Sequence, residues 1–467
     1  MILKQYYLAC LSHASYLIAD EGSASAVVID PQRDIDQYLH DAKSLGVKIR
    51  HVLLTHFHAD FVAGHLELQQ KTGANIYLGR RGQAEYPAEV MQDGGSLALG
   101  KLRFDFLETP GHTPEGISIV LSDESQVEAE PHAVFTGDTL FIGDVGRPDL
   151  LASVGVSAEA LAGMLYDSLH DKLMKLPDST LVYPAHGAGS LCGKSLSQET
   201  VSTIGEQRRL NYALQSMSRE AFIEMVSADQ PPAPAYFPFA ANLNREVHPT
   251  LDQSMEAARN HLTLEAVLQQ QQAGAQLLDT RDPETFAAGH IQGSLNVGLG
   301  GKFATWAGSV LDRQRPIVVL ADPGRSEEAV MRLGRIGLEP VAGVFEGVEQ
   351  AMKQRPELLQ SVSRYDPDAL RQRLGKVDPP IVLDVRQPGE RQQSQIEGSL
   401  FIPLGQLGGR LDEVPQGREV VMVCAGGYRS MIAASVLQEA ERHGRPPVET
   451  ADLRGGMGAW LQQASTC

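Results

Sequence analysis

Three features of the sequence predict a multidomain α/β chain. Short apolar runs alternate with stretches of helical spacing, and a set of motifs repeats once in the second half. The third is the length of 467 residues, which at roughly 100–200 residues per domain implies about two to four domains. Each is long enough to bury its own core.

In the first half, Ala26 to Ile29 and Val52 to Thr55 are brief apolar runs ending in polar residues, the pattern of a buried strand feeding a loop. Ile35 to Leu45 between them has helical spacing. Phe104 to Leu107, Ala133 to Thr136 and Leu181 to Tyr183 repeat the strand-then-turn pattern. The Pro-rich stretch Gln230 to Pro238 reads as a connector. Beyond it, Leu277-Leu-Asp-Thr-Arg281 and Ile291-Gln-Gly-Ser-Leu295 recur 105 residues later as Val382-Leu-Asp-Val-Arg386 and Ile396-Glu-Gly-Ser-Leu400. A further strand follows in each copy, Pro316 to Ala321 and Glu419 to Cys424, and leads to a Gly/Arg loop and a helical stretch. Two tandem α/β domains of about a hundred residues are therefore expected. The boundaries predicted are 1–250, 258–358 and 364–467.

The net charge of −18 disfavours nucleic acid as a partner, because phosphates would be repelled over most of the surface, although a local basic pocket for a small anion stays open. Met1 to Asp20 has no signal-peptide pattern, and no run of about 20 apolar residues occurs. A cytoplasmic protein without membrane contact is expected, and a homo-oligomer. Cys10, Cys192, Cys424 and Cys467 are sparse and form no CxxC, which points to reduced thiols rather than a disulfide framework or a zinc knuckle.

Chemistry concentrates at strand ends. Thr55-His56-Phe57-His58-Ala59-Asp60 follows an apolar strand, and Pro110-Gly111-His112-Thr113, Thr136-Gly137-Asp138-Thr139 and Tyr183-Pro184-Ala185-His186-Gly187 have the same form. One such island could be an idle loop histidine. Four in one domain point to a metal, since imidazole and carboxylate suit Zn, Fe or Mn. The order HxHxD, GHT, GD, PAHG resembles the metallo-β-lactamase superfamily over about Met1 to Thr250, and that resemblance implies a four-layer αββα sandwich. Binuclear members of the superfamily have a second His directly after the Asp of HxHxD; here the position is Phe61. A phenyl ring cannot ligate, so a mononuclear site is expected. The chain is further similar to the sulfur dioxygenases of the superfamily through Gly143-Asp-Val-Gly-Arg147 and His186-Gly-Ala-Gly-Ser-Leu-Cys192-Gly-Lys194. The resemblance implies one Fe(II) per chain on His56, His112 and Asp138, with zinc as the alternative. His58, Asp60 and His186 become supporting groups or alternative ligands. Arg147, Tyr183, Cys192 and Lys194 are candidates for contacting substrate, with Cys192 either a buried inert thiol or a sulfur acceptor.

The loop Cys424-Ala-Gly-Gly-Tyr-Arg429-Ser430 joins a strand to the helical stretch Met431 to Glu439. Backbone N–H groups and the positive end of the helix favour a thiolate and a bound anion there. The LDVR strand, EGSLFIP turn and Cys-headed loop resemble the rhodanese family. Cys424 is then the persulfide carrier, Arg429 adds charge or steadies the loop, and Asp384 and Arg386 maintain the fold. In the first repeat the loop reads Leu320-Ala-Asp322-Pro-Gly-Arg325-Ser326, one residue shorter and without a thiol, so that domain is expected to be inactive.

The three-part order resembles persulfide dioxygenase–rhodanese fusions. It implies oxidation of a low-molecular-weight persulfide by O2 to sulfite and thiol, coupled to sulfur transfer through Cys424 that forms or uses thiosulfate, with a thiol acceptor. The alternatives are a zinc thioester hydrolase of the glyoxalase II kind and a non-oxidative sulfane-sulfur carrier.

Overall fold

The computed structural model describes residues 1–125, 130–150, 155–194, 196–228, 230 and 232–464. Cys467 and Pro231 lie outside the described residues. The chain divides into two compact units, Met1–Leu251 with Arg335–Gly337, and Asp252–Gly334 with the chain from Leu338 onward.

The first unit is an αββα sandwich. One sheet runs in the order β1 (Ile2–Leu8), β2 (His13–Asp20), β3 (Ser25–Ile29), β4 (Lys48–Leu53), β5 (Asn75–Gly79), β6 (Glu89–Met91). It is antiparallel from β1 to β3 and parallel from β3 to β6. The other comprises β7 (Ser96–Leu99), β8 (Leu102–Glu108), β9 (Ile117–Asp123), β10 (Pro131–Gly137), β11 (Leu181–Pro184) and β12 (Ser202–Thr203), in reverse order across the sheet. All of β2 is buried, as a strand covered on both faces must be. Alternate residues go to different cores. Tyr16, Ile18, Phe104, Ile119 and Phe135 meet between the sheets. Val120, Val134 and Val182 face the helices Ala158–Asp171 and Arg219–Ser227, against Leu165, Leu169 and Phe222.

The Pro-rich stretch is not a connector. Phe237–Leu243 is a helix with Pro238 in its first turn, a position where the missing N–H costs no helical bond. Its flanks are built into the first unit: Tyr236 Oη donates to Asp60 O at 3.2 Å, and Asn244 Nδ2 donates to His58 O and Phe61 O at 2.8 Å each. The stretch therefore braces the HxHxD loop.

The second unit holds both repeats. The first contributes β13 (Gln276–Asp279), β14 (His290–Ile291), β15 (Ser294–Asn296), β16 (Ile317–Leu320), β17 (Val341–Phe345) and β18 (Leu359–Gln360), with a parallel sheet ordered β15-β13-β16-β17. The second contributes β19 (Ser363–Tyr365), β20 (Ile381–Asp384), β21 (Leu400–Phe401), β22 (Val420–Val423) and β23 (Thr450–Leu453), parallel in the order β19-β23-β22-β20-β21. Helix Tyr428–Glu441 is buried on all sides, from Met431 and Ile432 to Leu437 and Gln438. It reaches the first repeat through Ser435 Oγ, which accepts from Asn296 N at 2.9 Å, and through Gln438 Oε1, 3.1 Å from His290 Nε2. A helix with so many buried residues needs cover on several faces, and the two repeats supply it together.

Among the described residues no helix is long and apolar enough to cross a membrane.

Candidate functional site

The strand-end islands of the first unit converge. His56, His112 and Asp138 place ligand atoms within 4.8 Å of one another, as do His58, Asp60 and His186. His112 Nε2 lies 3.4 Å and His56 Nε2 3.8 Å from Asp138 Oδ2, and His186 Nε2 lies 3.7 Å from Asp138 Oδ1 and 3.5 Å from Asp60 Oδ2. All six side chains are buried.

Each of three imidazoles has its Nδ1 occupied from behind. Thr55 Oγ1 donates to Asp30 Oδ2 at 2.7 Å and so accepts from His56 Nδ1 at 3.0 Å. His112 Nδ1 donates to Arg147 O at 2.9 Å and His186 Nδ1 to Ser12 O at 3.1 Å. These bonds assign the Nδ1–H tautomer and turn the Nε2 lone pairs into the cavity, the arrangement metal-binding histidines require. Gly137 permits the approach of Asp138: it sits at φ 51°, and a Cβ there would lie 2.5 Å from Thr55 Oγ1.

The donor set fits a cation. Neither oxygen of Asp138 receives a hydrogen bond, nor does His186 Nε2. A buried carboxylate without donors is unfavourable unless a positive charge faces it. Burial, with His58 and His112 close by, pushes His56 well below the ordinary imidazole value, and burial lowers His112, which keeps both neutral and able to ligate. Burial opposes the charge on His58 too, but Asp30 overrides it and the value is raised. His58 Nε2 lies 3.1 Å from Asp30 Oδ1, so this imidazole faces Asp30. Phe61 is buried against His13 and His58, with ring centroids 4.0 and 4.4 Å away.

The substrate-contact candidates separate. Cys192 joins the cluster, its Sγ within 4.8 Å of ligand atoms of Asp138 and His186, and burial and then Asp138 raise its pKa well above the ordinary thiol value. Arg147 is a scaffold residue: its guanidinium is buried and bound to Asp149 at 2.7 and 2.5 Å, while its carbonyl holds His112. Lys194 is exposed and donates to Met225 O at 3.0 Å. Tyr183 stacks on Phe135 at 5.5 Å against the core between the sheets. Each of these three thus has a contact within the protein. Charge and strand-end position did not reveal which way a side chain turns.

Asp30 and His13 were missed. Asp30 follows the apolar run of β3 and satisfies the same strand-end rule that found the other islands. His13 gave no sequence signal. It is fully buried, neither ring nitrogen has a hydrogen-bond partner, and it reaches His186 through an isolated antiparallel bridge.

In the second unit Cys424 directly follows β22, 1% exposed, and accepts from Gly427 N at 3.0 Å. Ser430 Oγ stands 3.4 Å from its sulfur and bonds to Asp452. Arg429 is held by Glu390 in a bidentate pair at 2.7 and 2.6 Å, so its guanidinium steadies the loop. In the first repeat Arg325 is exposed and paired with Glu328 at 2.6 Å, and helix Ser326–Gly334 starts straight after it. By strand register Ala321 stands where the second repeat has Cys424.

Comparison with known proteins agrees with these two architectures. The metallo-beta-lactamase superfamily matches residues 8–186, and the rhodanese-like domain matches 263–351 and 366–463. The mitochondrial persulfide dioxygenases ETHE1 of Bos taurus and Homo sapiens are each 32% identical over 248 residues, 52% of this chain and 87% of theirs. The chain belongs to the metallo-β-lactamase superfamily. Its superfamily domain is followed by two rhodanese-like domains, a fusion. A crystal structure of a metallo-beta-lactamase from Staphylococcus aureus is 32% identical with a TM-score of 0.67, covering 74% of this chain and 99% of that one. The cytoplasmic hydroxyacylglutathione hydrolase of Arabidopsis thaliana is 34% identical over 187 residues, 39% of this chain and 67% of that one.

Proposed function

We propose that the first unit oxidises a low-molecular-weight persulfide such as glutathione persulfide, RSSH + O2 + H2O giving RSH, sulfite and two protons, and that Cys424 transfers sulfane sulfur. The observation that carries this reading is the cluster of His56, His112 and Asp138 with Phe61 in place of a further ligand, in a chain similar to persulfide dioxygenases. We assign those three residues as the metal ligands and iron as the ion. Ferrous iron bound there supplies the redox chemistry with O2 that zinc lacks, and a two-His-one-carboxylate face leaves positions open for reactants.

The chain's own residues prepare the site. Asp30 and Thr55 orient His56, the carbonyl of Arg147 orients His112, and Phe61 and His13 fill space that water would otherwise take. Cys192, whose Sγ lies within 4.8 Å of ligand atoms of Asp138 and His186, is the thiol we assign to meet the substrate's sulfur. At the second site, a sulfane sulfur held as Cys424 persulfide passes to sulfite: the sulfite lone pair attacks the outer sulfur, the S–S bond breaks, and the Cys424 thiolate and thiosulfate leave.

The test is O2 uptake with glutathione persulfide on protein whose metal content is measured on the same sample. About one iron per chain with persulfide-dependent uptake is expected, and His112→Ala should lose both, with uptake down by a factor of about 10²–10³. The similarity to hydroxyacylglutathione hydrolase favours a second reading, a zinc thioesterase. Two zinc ions per chain with thioester cleavage and no O2 uptake would establish that reading instead. Uptake that survives His112→Ala would favour a non-oxidative carrier.

A further inference from the structure

The two repeats differ at a second buried position besides the thiol. On β23, Asp452 is fully buried and pairs in register with Met422 of β22. Counted from the Asp–Arg strands β13 and β20, Met422 matches Val319 of the first repeat, and Val319 pairs with Val344. Val344 fills the same place in the first sheet and is equally buried. A carboxylate there is costly and a valine is not, so the fold supplies no reason for Asp452. The repeat with Ala321 has Val344, and the repeat with Cys424 has Asp452. Both keep a serine after the loop arginine, Ser326 and Ser430.

A hydrogen-bonded path joins this carboxylate to the thiol. Cys424 Sγ donates to Ser430 Oγ at 3.4 Å, and Ser430 Oγ donates to Asp452 Oδ2 at 3.3 Å. Bonds of this kind are often long before substrate binds. Arg364 of β19 donates from Nε to Asp452 Oδ1 at 2.8 Å and so aims the carboxylate. Arg454, two residues on, also pulls on Asp452, while β22 on the other side, Val420–Val423, carries no charge. Glu284 lies 3.9 Å from Arg364 and 3.8 Å from Arg454, and Arg429, beside Ser430, is bound to Glu390. Burial raises the Asp452 carboxyl above its ordinary value against the pull of Arg364, so it holds a proton more readily than an exposed carboxylate does.

Resting on the sulfur-transfer reading above, we propose that Asp452, acting through Ser430, takes the proton of the Cys424 thiol as that thiol attacks a sulfane-sulfur donor. The S–H proton moves to Ser430 Oγ while the Ser430 proton moves to Asp452. The sulfur, with the electron pair of the broken S–H bond, bonds to the outer sulfur of thiosulfate. The donor's S–S bond breaks and sulfite leaves with that pair, so Cys424 persulfide is formed and Asp452 holds the proton. In transfer to sulfite the path runs backwards, and the leaving thiolate regains its proton. A buried thiol needs such a path, because a nucleophile is activated by a base within hydrogen-bond reach. Asp452 touches neither the sulfur nor the donor and is a positioning residue.

The experiment follows kcat/KM for thiosulfate, with cyanide as acceptor, on the full chain from about pH 6 to about pH 9.5, a range that spans the ordinary thiol value of about 8.5. Asp452→Asn and Ser430→Ala each cut the path. Ser430→Ala leaves the Arg364–Asp452 pair in place, which keeps the test open should the other variant not fold. At pH 7 each should be slower than wild type by about tenfold or more, with the deficit closing above about pH 9, where a thiol ionises without help. Ser430→Thr keeps a hydroxyl and should recover most of the rate at pH 7. An unchanged rate, or a deficit equal at every pH, overturns the inference. So does a gain at pH 7, the sign expected if Asp452 only repelled the thiolate. A wild-type chain inert with thiosulfate would overturn the sulfurtransferase reading instead. Alkylation of Cys424 by iodoacetamide, followed on its own peptide by mass spectrometry, then decides the path separately. Slower alkylation of Ser430→Ala at pH 7 that converges with wild type above about pH 9 supports it, and parallel profiles sink it.

Discussion

In the first repeat Arg281 Nη2 meets Asp279 at 2.6 Å, and in the second Arg386 Nη2 meets Asp384 at 2.8 Å, with all four side chains buried. The strands that carry them, β13 and β20, sit at matching places in two parallel sheets. The loops about forty residues on have diverged. One turns Gly427 N and Ser430 toward a buried sulfur, and the other is a residue shorter and leaves Arg325 in solvent. The Asp–Arg pair is thus a mark of the fold, and only the loop after β16 or β22 marks chemistry. Had the pair been catalytic, the repeat without a nucleophile would have had no physical reason to keep it.

The largest effect tests the loop. Cys424→Ser should abolish sulfur transfer from thiosulfate to cyanide, a loss of about 10³-fold or more, since no other described thiol lies in that unit. Ala321→Cys, which puts a thiol at the register position of Cys424, should not create transfer in the first repeat, because the following loop is a residue shorter. Transfer by that variant in a Cys424→Ser background would break the comparison.

The pair itself gives the next effect. Arg281→Ala removes the ion-pair partner of the buried Asp279, at a cost of about 3–5 kcal/mol, whereas Arg386→Ala leaves Asp384 paired with Arg391 at 3.3 Å and should cost less. Both should lower the thermal midpoint of the second unit's transition in the full chain. If only Arg386→Ala did so, the two pairs would not be equivalent.

The smallest effect is electrostatic and belongs to the live loop alone. Burial acts to raise the Glu390 carboxyl, but Arg429 outweighs it and holds the value below the ordinary range. A depressed carboxyl contributes stability above its unfolded pKa and loses it as pH falls through the folded one. Wild type should therefore lose more thermal stability than Glu390→Gln between pH 7 and about pH 3. Parallel melting curves for the two proteins would show that the pair is not holding the loop.

Much of this was readable before any coordinates. Strand-end position found the four islands that converge on Asp138, and the missing thiol set the first repeat apart from the second. It carried no information on orientation. Arg147 and Lys194 are cations near a metal cluster in sequence, but one is buried in an ion pair with Asp149 and the other bonds a surface carbonyl. The Pro-rich stretch read as a linker because proline signals a break, while here Pro238 opens a short helix whose flank, through Asn244, holds the HxHxD loop. His13 was invisible because its neighbours come from distant strands.

The sequence by itself determined which atoms are available: the donor set His56, His112 and Asp138, the phenyl ring of Phe61, one thiol at Cys424 and none in its sister loop. Those follow from residue type and local period, which need no partner to be read. Only the tertiary structure decided how they are held. The Asp30–Thr55–His56 chain, the carbonyl of Arg147 behind His112, and Asn296 of the first repeat against Ser435 of the second all join residues far apart in the chain. Such contacts are fixed by strand pairing and close packing, which no local pattern records.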